Sequence, residues 1–496
     1  MENLVQDPRL IPTNNLKENN SINSVVFQEH FPINSVNVNT SQVEFVVPAN
    51  SNGLIDLKGS YIVNGCALTD LEGNNVLQDY TTQANRGFKE NLGDTLWKDV
   101  KIFINGVEVQ DTHPNLYPQS AFYKRALDDQ GGNGTSVSYA KANPLGGGDV
   151  EIRAPGTRYS GWKGVEALNL AGDCEAGNNA TTNAELVDLP EQRAYDIIRR
   201  VQTDSGRMLN PLEVITKLQD GIFNQPFFLP PNCDIRILLT KSNPEQLTYD
   251  NFDDITDITA TLTSSILYIK RAYPVPSAME MFNRSLALSP MEYNIKYTRT
   301  TQRTITQGTT SIQETNLLNG VVPDRVIVAF VPSSTISGAK RLSPYVSGPR
   351  YNQAYNNQIT SIYVNANGRQ YPQRQYNFGT GAGGLQGNAR INGARAYMDY
   401  VNAWAEDNDV FPQDSPPISF DNWCNNYTFY AFDLRNDKLN ENGYTTDLNN
   451  RGSIEVLATQ VNENTGVLVG TTMLVVGITN AKVIIDANRN VSKDGF

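Results

Sequence analysis

The sequence predicts an all-β protein built twice over, with two β-sandwiches or barrels in tandem. Three observations predict it. At 496 residues the chain is too long for one hydrophobic core, so two or more domains are expected. Short runs of alternating apolar residues, stopped by Pro or Asn-Gly, recur along most of it. Each half also carries a helical stretch among its strands, a texture that suits a sandwich or barrel repeated.

In the first half, residues 1–24 are Asn-rich and weakly apolar and read as an arm without a core of its own. Val43, Phe45 and Val47 share one face of a strand that stops at Pro48. A second run, Leu57 to Val63, is expected to end in a turn at Asn64-Gly65. The sharpest local signal is LWKDVKIFINGVEV, Leu96 to Val109. Here Val100, Ile102 and Ile104 point one way, Asn105-Gly106 supplies positive φ values, and Val107 and Val109 return. Residues 115–128 predict a short helix. Residues 129–188 are Gly-rich and aperiodic, and a stretch that long reads as a large surface excursion from the first sandwich. Residues 191–202 have helical spacing. Strands follow over Phe227–Ser242 and Ile258–Tyr273, then a helical connector over Ser277–Leu288 that closes before Pro290.

The second half repeats this texture with different letters. Met291 to Thr300 alternates as a strand, and Val322 to Pro332 is a buried-type strand bounded by prolines. Ser361 to Pro372 is a second Asn-Gly hairpin. A Gly-rich loop, 379–387, leads into a helix over Ala394–Ala405. Strands are then expected over Tyr427–Leu434, Gly452–Gln460, Thr471–Thr479 and Lys482–Val491. The expected organisation is an arm at 1–24, a first sandwich at 25–274 with the 129–188 excursion, a connector at 275–290, and a second sandwich at 291–496.

Composition excludes several functions. A net charge of −12 and the lack of a Lys/Arg-rich run argue against coating nucleic acid. The balance suits a soluble surface that repels its own copies until assembly. Cys66, Cys174, Cys233 and Cys424 stand far apart with no CxxC pair, so neither a zinc site nor a disulfide framework is indicated. His30 and His113 are the only histidines, which leaves little material for a His-based metal or general-base site. The polar N-terminus does not read as a signal peptide, and the longest apolar run falls far short of the ~20 residues that span a bilayer. A soluble chain made in the cytosol is expected.

The chemical motifs read blandly. GTGAGG, Gly379 to Gly384, has dinucleotide-loop letters but lacks the βαβ context that would cradle a pyrophosphate. The acidic run Asp250 to Asp257 lacks EF-hand spacing and its Gly, so a solvated loop outweighs a calcium site. The sequons at Asn133 and Asn179 matter only in a secreted chain. Paired carboxylates of a glycosidase stay open on fold grounds alone, with no Asp or Glu standing out. No catalytic, cofactor-binding or metal-ligating residue is assigned.

Several blocks in order carry a family resemblance. They are Leu96–Asp129 (LWKDVKIFINGVEVQDTHPNLYPQSAFYKRALDD), Lys217–Ser242 (KLQDGIFNQPFFLPPNCDIRILLTKS), and the run from Ile258 to Gly308. Asn316–Ser333, Ile359–Pro372, Tyr427–Asp437 and Ala481–Val491 continue the series. Their order and spacing resemble the double jelly-roll major capsid proteins of adintoviruses, polinton-like viruses and virophages. Residues 1–40 and 129–190 lie outside the match. The resemblance implies two tandem jelly-roll β-sandwiches with a few short helices in the connections. It implies a homotrimer forming a pseudo-hexagonal, hexon-like capsomer that tiles an icosahedral double-stranded DNA virus shell. Neighbouring capsomers, with penton and minor capsid proteins, would be the partners and the virion the location. No enzymatic activity, cofactor or specific nucleic-acid binding is implied. The outer loops could meet a host surface. A viral spike or carbohydrate-binding β-sandwich protein is the alternative reading.

Overall fold

The computed structural model describes residues 21–37, 40–51, 53–69, 86–88, 92–128, 212–250, 259–333, 357–378, 393–408, 428–435, 451–462 and 470–495, with the isolated positions 336, 418, 420, 423 and 468. Several expectations fall outside these residues. They are the excursion at 129–188, the helix at 191–202, the loops at 251–257 and 379–387, both sequons, Cys174, Cys424 and residues 1–20.

The first half contributes β1 (Ile22–His30), β2 (Gln42–Val47), β3 (Leu54–Thr69), β4 (Arg86–Phe88), β5 (Trp97–Ile104), β6 (Val107–Glu108), helix α1 (Tyr117–Asp128), β7 (Leu212–Thr216), β8 (Ile235–Lys241), β9 (Thr248–Asp250) and β10 (Thr259–Pro274). Helix α2 (Pro276–Leu288) follows. The second half contributes β11 (Met291–Ile305), β12 (Ser311–Glu314), β13 (Arg325–Pro332), β14 (Asn357–Ala366), β15 (Arg369–Asn377), helix α3 (Ala394–Asn408), β16 (Phe429–Asp433), β17 (Ile454–Asn462), β18 (Thr471–Ile485) and β19 (Val491–Asp494).

The sheet orders show the repeat. The first half pairs its strands as β1-β10-β3-β7 and β2-β8-β5-β6, and the second as β11-β18-β13-β16 and β12-β17-β14-β15. Renumbered from the start of each half, and with the small β4-β9 ribbon and the short β19, which pairs with β18, set aside, the two patterns are the same. Each pairs its first strand, at the sheet edge, with its eighth and carries its helix between the fifth and sixth positions, the topology of a jelly roll. The ladders between these strands are all antiparallel.

Local chemistry explains the elements. Val43, Phe45 and Val47 are buried while Gln42 and Val46 face out, the alternation of a strand with one covered face. Both Asn-Gly hairpins form as expected: Asn105 and Gly106 take φ of 49° and 78°, and Asn367 and Gly368 take 51° and 81°. Pro276 opens α2 at its first turn, where its missing N–H costs nothing. In α3, Ala396, Tyr400, Ala403 and Trp404 form one buried stripe at helical spacing.

Three expectations differ from the structure. Asn64-Gly65 is no turn: β3 runs through it to Thr69. Asn64 is fully buried, donating to Thr216 Oγ1 at 3.1 Å and accepting from Ser265 Oγ at 2.7 Å. Gly65 lies opposite Ser264, where a Cβ would meet the serine hydroxyl at 2.5 Å. Polar pairing across strands and lack of room replace turn formation as the reason for these letters. Secondly, the strands expected at 471–479 and 482–491 are one strand, β18, which ends at Ile485. It pairs with β11 without a break from Met291↔Ile485 to Ile305↔Thr471. Residues 22–24, expected in the arm, begin β1.

Candidate functional site

Two features of the described residues stand out: a charged junction between the sandwiches and an uncovered apolar edge.

The junction begins where the first hairpin ends. After β6 the chain crosses to the second sandwich, and Thr112 joins β11 in a short parallel bridge. Its N–H donates to Thr298 O at 2.9 Å, and its carbonyl accepts from Thr300 N at 2.7 Å. Beside it Asp111 is buried. Its Oδ2 pairs with Lys124 Nζ at 3.0 Å, and its Oδ1 accepts from Gly221 N at 3.3 Å. Lys124, on α1, also donates to Lys296 O of β11 at 3.2 Å, so one ammonium ties the first sandwich to the second. Gly221 packs so close to that carbonyl that a Cβ would stand 2.5 Å from it.

His113 lies within the same cluster. Its Nδ1 is 3.6 Å from Asp99 and its Nε2 is 3.5 Å from Asp220, with the Tyr117 ring edge-on at 5.1 Å. These are ion-pair separations, longer than good hydrogen bonds. Burial by itself pushes the imidazole toward its neutral form. Asp220, Asp99 and Asp111 more than reverse that, raising the group to about 10, so it is charged at neutral pH. Burial, aided by Asp220, raises the Asp111 carboxyl against the pull of Lys124.

Packing reinforces the junction. Phe122, Tyr123, Ala126 and Leu127 of α1 belong to the second core, whereas Tyr117 and Ala121 of the same helix belong to the first. Tyr293, Ile295 and Tyr297 of β11, with Ala481, Val483 and Ile485 of β18, complete the first core. Tyr400 of α3 donates to Ala126 O at 2.9 Å. At the far end Asn105 donates to Arg489 O at 2.7 Å, so the residue that makes the first hairpin's turn also holds the loop before β19.

The apolar edge is β1 with its surroundings. Val25, Val26 and Phe27 are each nearly half exposed although adjacent residues point to opposite faces, so β1 is uncovered on both. Phe31 and Ile33 continue the patch. On the sheet's outer surface Phe27 lies 5.6 Å from Tyr61, which stacks on Tyr268 at 5.1 Å. Val275, just before α2, donates to Ser21 O at 3.0 Å beside the start of β1. In α2 only Leu286 is buried, while Met281 and Leu288 are 72% and 89% exposed.

Among the described residues no group of His, Cys, Asp and Glu is arranged to hold a metal ion, and no helix is long and apolar enough to cross a membrane. Cys66 and Cys233 are buried free thiols, pushed up by burial to about 12 and about 11. No site residue was assigned from sequence. The His113 cluster went unseen because Asp99, Asp111 and Asp220 come together only across 121 residues of chain. The apolar edge had a faint signal, the unalternating VVF of residues 25–27.

No family model and no curated protein matches the chain. Among solved structures, a quasi-atomic model of the PBCV-1 virus capsid aligns over 95% of this chain and 96% of that one, at 11% identity and a TM-score of 0.52. The crystal structure of the mavirus major capsid protein aligns over 100% and 96%, at 12% identity and a TM-score of 0.51. The repeated strand order and these full-length alignments agree, and the chain is a double jelly-roll protein that shares its fold with viral capsid proteins.

Proposed function

We propose that the chain is a major capsid protein working as a non-enzymatic shell tile, a homotrimer whose six jelly rolls make a pseudo-hexagonal capsomer of an icosahedral double-stranded DNA virus. The observation that carries this reading is the jelly roll written twice and joined by two cores that each draw residues from both halves and by a buried charge cluster. A tile must keep its two halves in fixed register, since an angular error at one junction is multiplied around a ring. The apolar β1–α2 surface supplies what the subunit contact needs, because a long uncovered edge strand is an aggregation hazard unless a partner covers it. An obligate contact of this kind buries on the order of 2,000 Å² or more.

In this reading the division of the chain is the one drawn from sequence, with the last three residues of the arm entering β1: arm 1–24, first jelly roll 25–274, connector 275–290, second jelly roll 291–496. The 129–188 stretch forms an outward tower able to meet a host surface. The arm lies on the inner side, where it ties neighbouring capsomers or minor capsid proteins, with penton proteins at the vertices. The net charge of −12 supports an assembly that packages nucleic acid without binding it specifically.

Light scattering coupled to gel filtration, followed by negative-stain microscopy, tests the reading. Particles of three times the chain mass with a hexagonal outline are expected. Two-lobed monomers under every salt and concentration condition would overturn it in favour of a carbohydrate-binding or spike protein.

A further inference from the structure

The junction between the sandwiches holds an amine and a carboxyl in contact and away from water. Lys124 Nζ lies 3.0 Å from Asp111 Oδ2, and the two side chains are only 2% and 3% exposed. An ion pair buried this deeply gives up hydration that its own attraction barely offsets. The cluster is also unbalanced, with Asp99, Asp111 and Asp220 set against two cations, His113 and Lys124. Burial raises the Asp111 carboxyl, Lys124 opposes the rise, and Asp220 adds to it. The net direction is toward the neutral acid, the form that an amine attacks.

The surroundings already fit the product of such an attack. An amide between Nζ and Asp111 Cγ has one N–H and one carbonyl oxygen to satisfy. Lys296 O, 3.2 Å from Nζ, is in place to accept the first, and Gly221 N, 3.3 Å from Oδ1, to donate to the second. The Gly221 N–H also faces the oxygen on which negative charge develops as the carbonyl is attacked. Asp220 Oδ1 accepts from Asp111 N at 3.0 Å and so fixes the backbone that carries the carboxyl. Held from both sides, the pair meets at the high effective concentration of an intramolecular reaction. A neutral amide also removes two charges from a buried setting, where each is costly.

We propose that Lys124 and Asp111 condense after folding into an intramolecular isopeptide bond, a covalent tie between α1 and the segment that crosses between the sandwiches. One proton passes along the existing Nζ–H···Oδ2 contact, leaving a neutral amine beside a neutral acid. Nζ then bonds to Cγ, the Cγ–Oδ2 bond breaks, and a second proton leaves Nζ with Oδ2, which departs as water. The third proton stays on the amide nitrogen. No oxidant, reductant or cofactor enters the balance.

Tryptic mass spectrometry of the full chain, purified folded and kept at neutral pH, reads the bond directly. Trypsin cuts after a free lysine. The expected product is one peptide from Ile102 to Arg125, uncut at Lys124 and lighter than its sequence by one water. Lys270 and Lys482 stand 2.8 Å and 2.9 Å from Asp56 and Glu292, but those pairs are partly exposed and should stay unreacted. Asp111→Ala should restore both the cut after Lys124 and the full peptide mass. A native chain cut after Lys124 at full mass overturns the proposal, and this outcome needs no variant to fold. Loss of water with Lys124 still cut, or an uncut Lys124 in Asp111→Ala, would place the chemistry elsewhere and overturn it too. The same loss at Lys270 or Lys482 would remove burial as the cause. The bond is read within one chain, so its outcome is independent of trimer formation.

Discussion

At the scale of single residues, His113 is the most consequential side chain among the described residues. It faces Asp99 and Asp220, with Asp111 and Lys124 one contact further and the Tyr117 ring against it. Its folded-state value, about 10, lies above the ordinary 6.5. The fold therefore holds a proton that the unfolded chain releases between those values, and stability falls as pH rises across the window. Stabilisation is complete below about 6.5 and is lost by about 10, at about 1.4 kcal/mol per unit of separation. Asp111, also raised, acts in the same sense at lower pH. Denaturation midpoints should therefore decline from pH 7 to 10 in the native chain. His113→Gln should start lower and decline less over that interval; equal slopes would show that the imidazole is not the group responsible. Gly221 offers a steric counterpart. Gly221→Ala places a Cβ against Lys296 O and should cost about 1–3 kcal/mol, read as a lowered unfolding midpoint.

At the scale of elements, turns and edges divide the work. Asn105 takes positive φ, accepts from Asp234 N at 2.8 Å and donates to Arg489 O. Asn105→Ala removes both bonds and places an alanine in a left-handed conformation. We expect a loss of about 2–3 kcal/mol in urea denaturation, with the β-sheet circular dichroism retained. The edge strand β1 contributes little to its own sandwich on its exposed faces and much to whatever covers it. Val25→Ser combined with Phe27→Ser should leave the unfolding midpoint within about 1 kcal/mol, since both side chains are half exposed. Under the capsomer proposal, sedimentation velocity should find the native chain as trimer and the double variant as monomer. A persisting trimer would move the subunit contact elsewhere.

At the scale of the whole molecule, the two sandwiches are not independent units. Strand β11 runs along both: Tyr293 and Ile295 fill the first core, while Ile305 fills the second. Helix α1 returns the favour from the other side. Residues 1–290 expressed alone lose Tyr293, Ile295, Tyr297, Ala481, Val483 and Ile485 from the first core, and residues 291–496 lose the apolar face of α1. Each half alone should aggregate or bind a hydrophobic dye, and co-expression should recover soluble protein. Calorimetry of the intact chain should show one transition; two well-separated transitions would contradict the coupling of the two cores through the residues they exchange.

Much of this architecture was legible in the letters, because short-range physics writes it there. Alternation with period two marks β2, β5 and β11. Asn-Gly marks both hairpins because L-residues other than Asn rarely accept the required φ. Ala, Tyr and Trp at helical spacing mark α3. The same local logic misread Asn64-Gly65, where the decisive partners, Thr216 and Ser265, are 152 and 201 residues away. It also split β18, whose continuity comes from a ladder with β11 that no window of sequence contains. The charge cluster was invisible for that same reason. A carboxylate on a loop reads as solvated until the fold buries it beside a histidine. By itself the sequence determined the element types, the hairpin turns and the doubling of an all-β texture, since each depends on residues within a few positions of one another. Only the tertiary structure decided the order of strands in each sheet, the exchange of residues between the two cores and the placement of charge at their junction, because those follow from contacts between segments far apart in the chain.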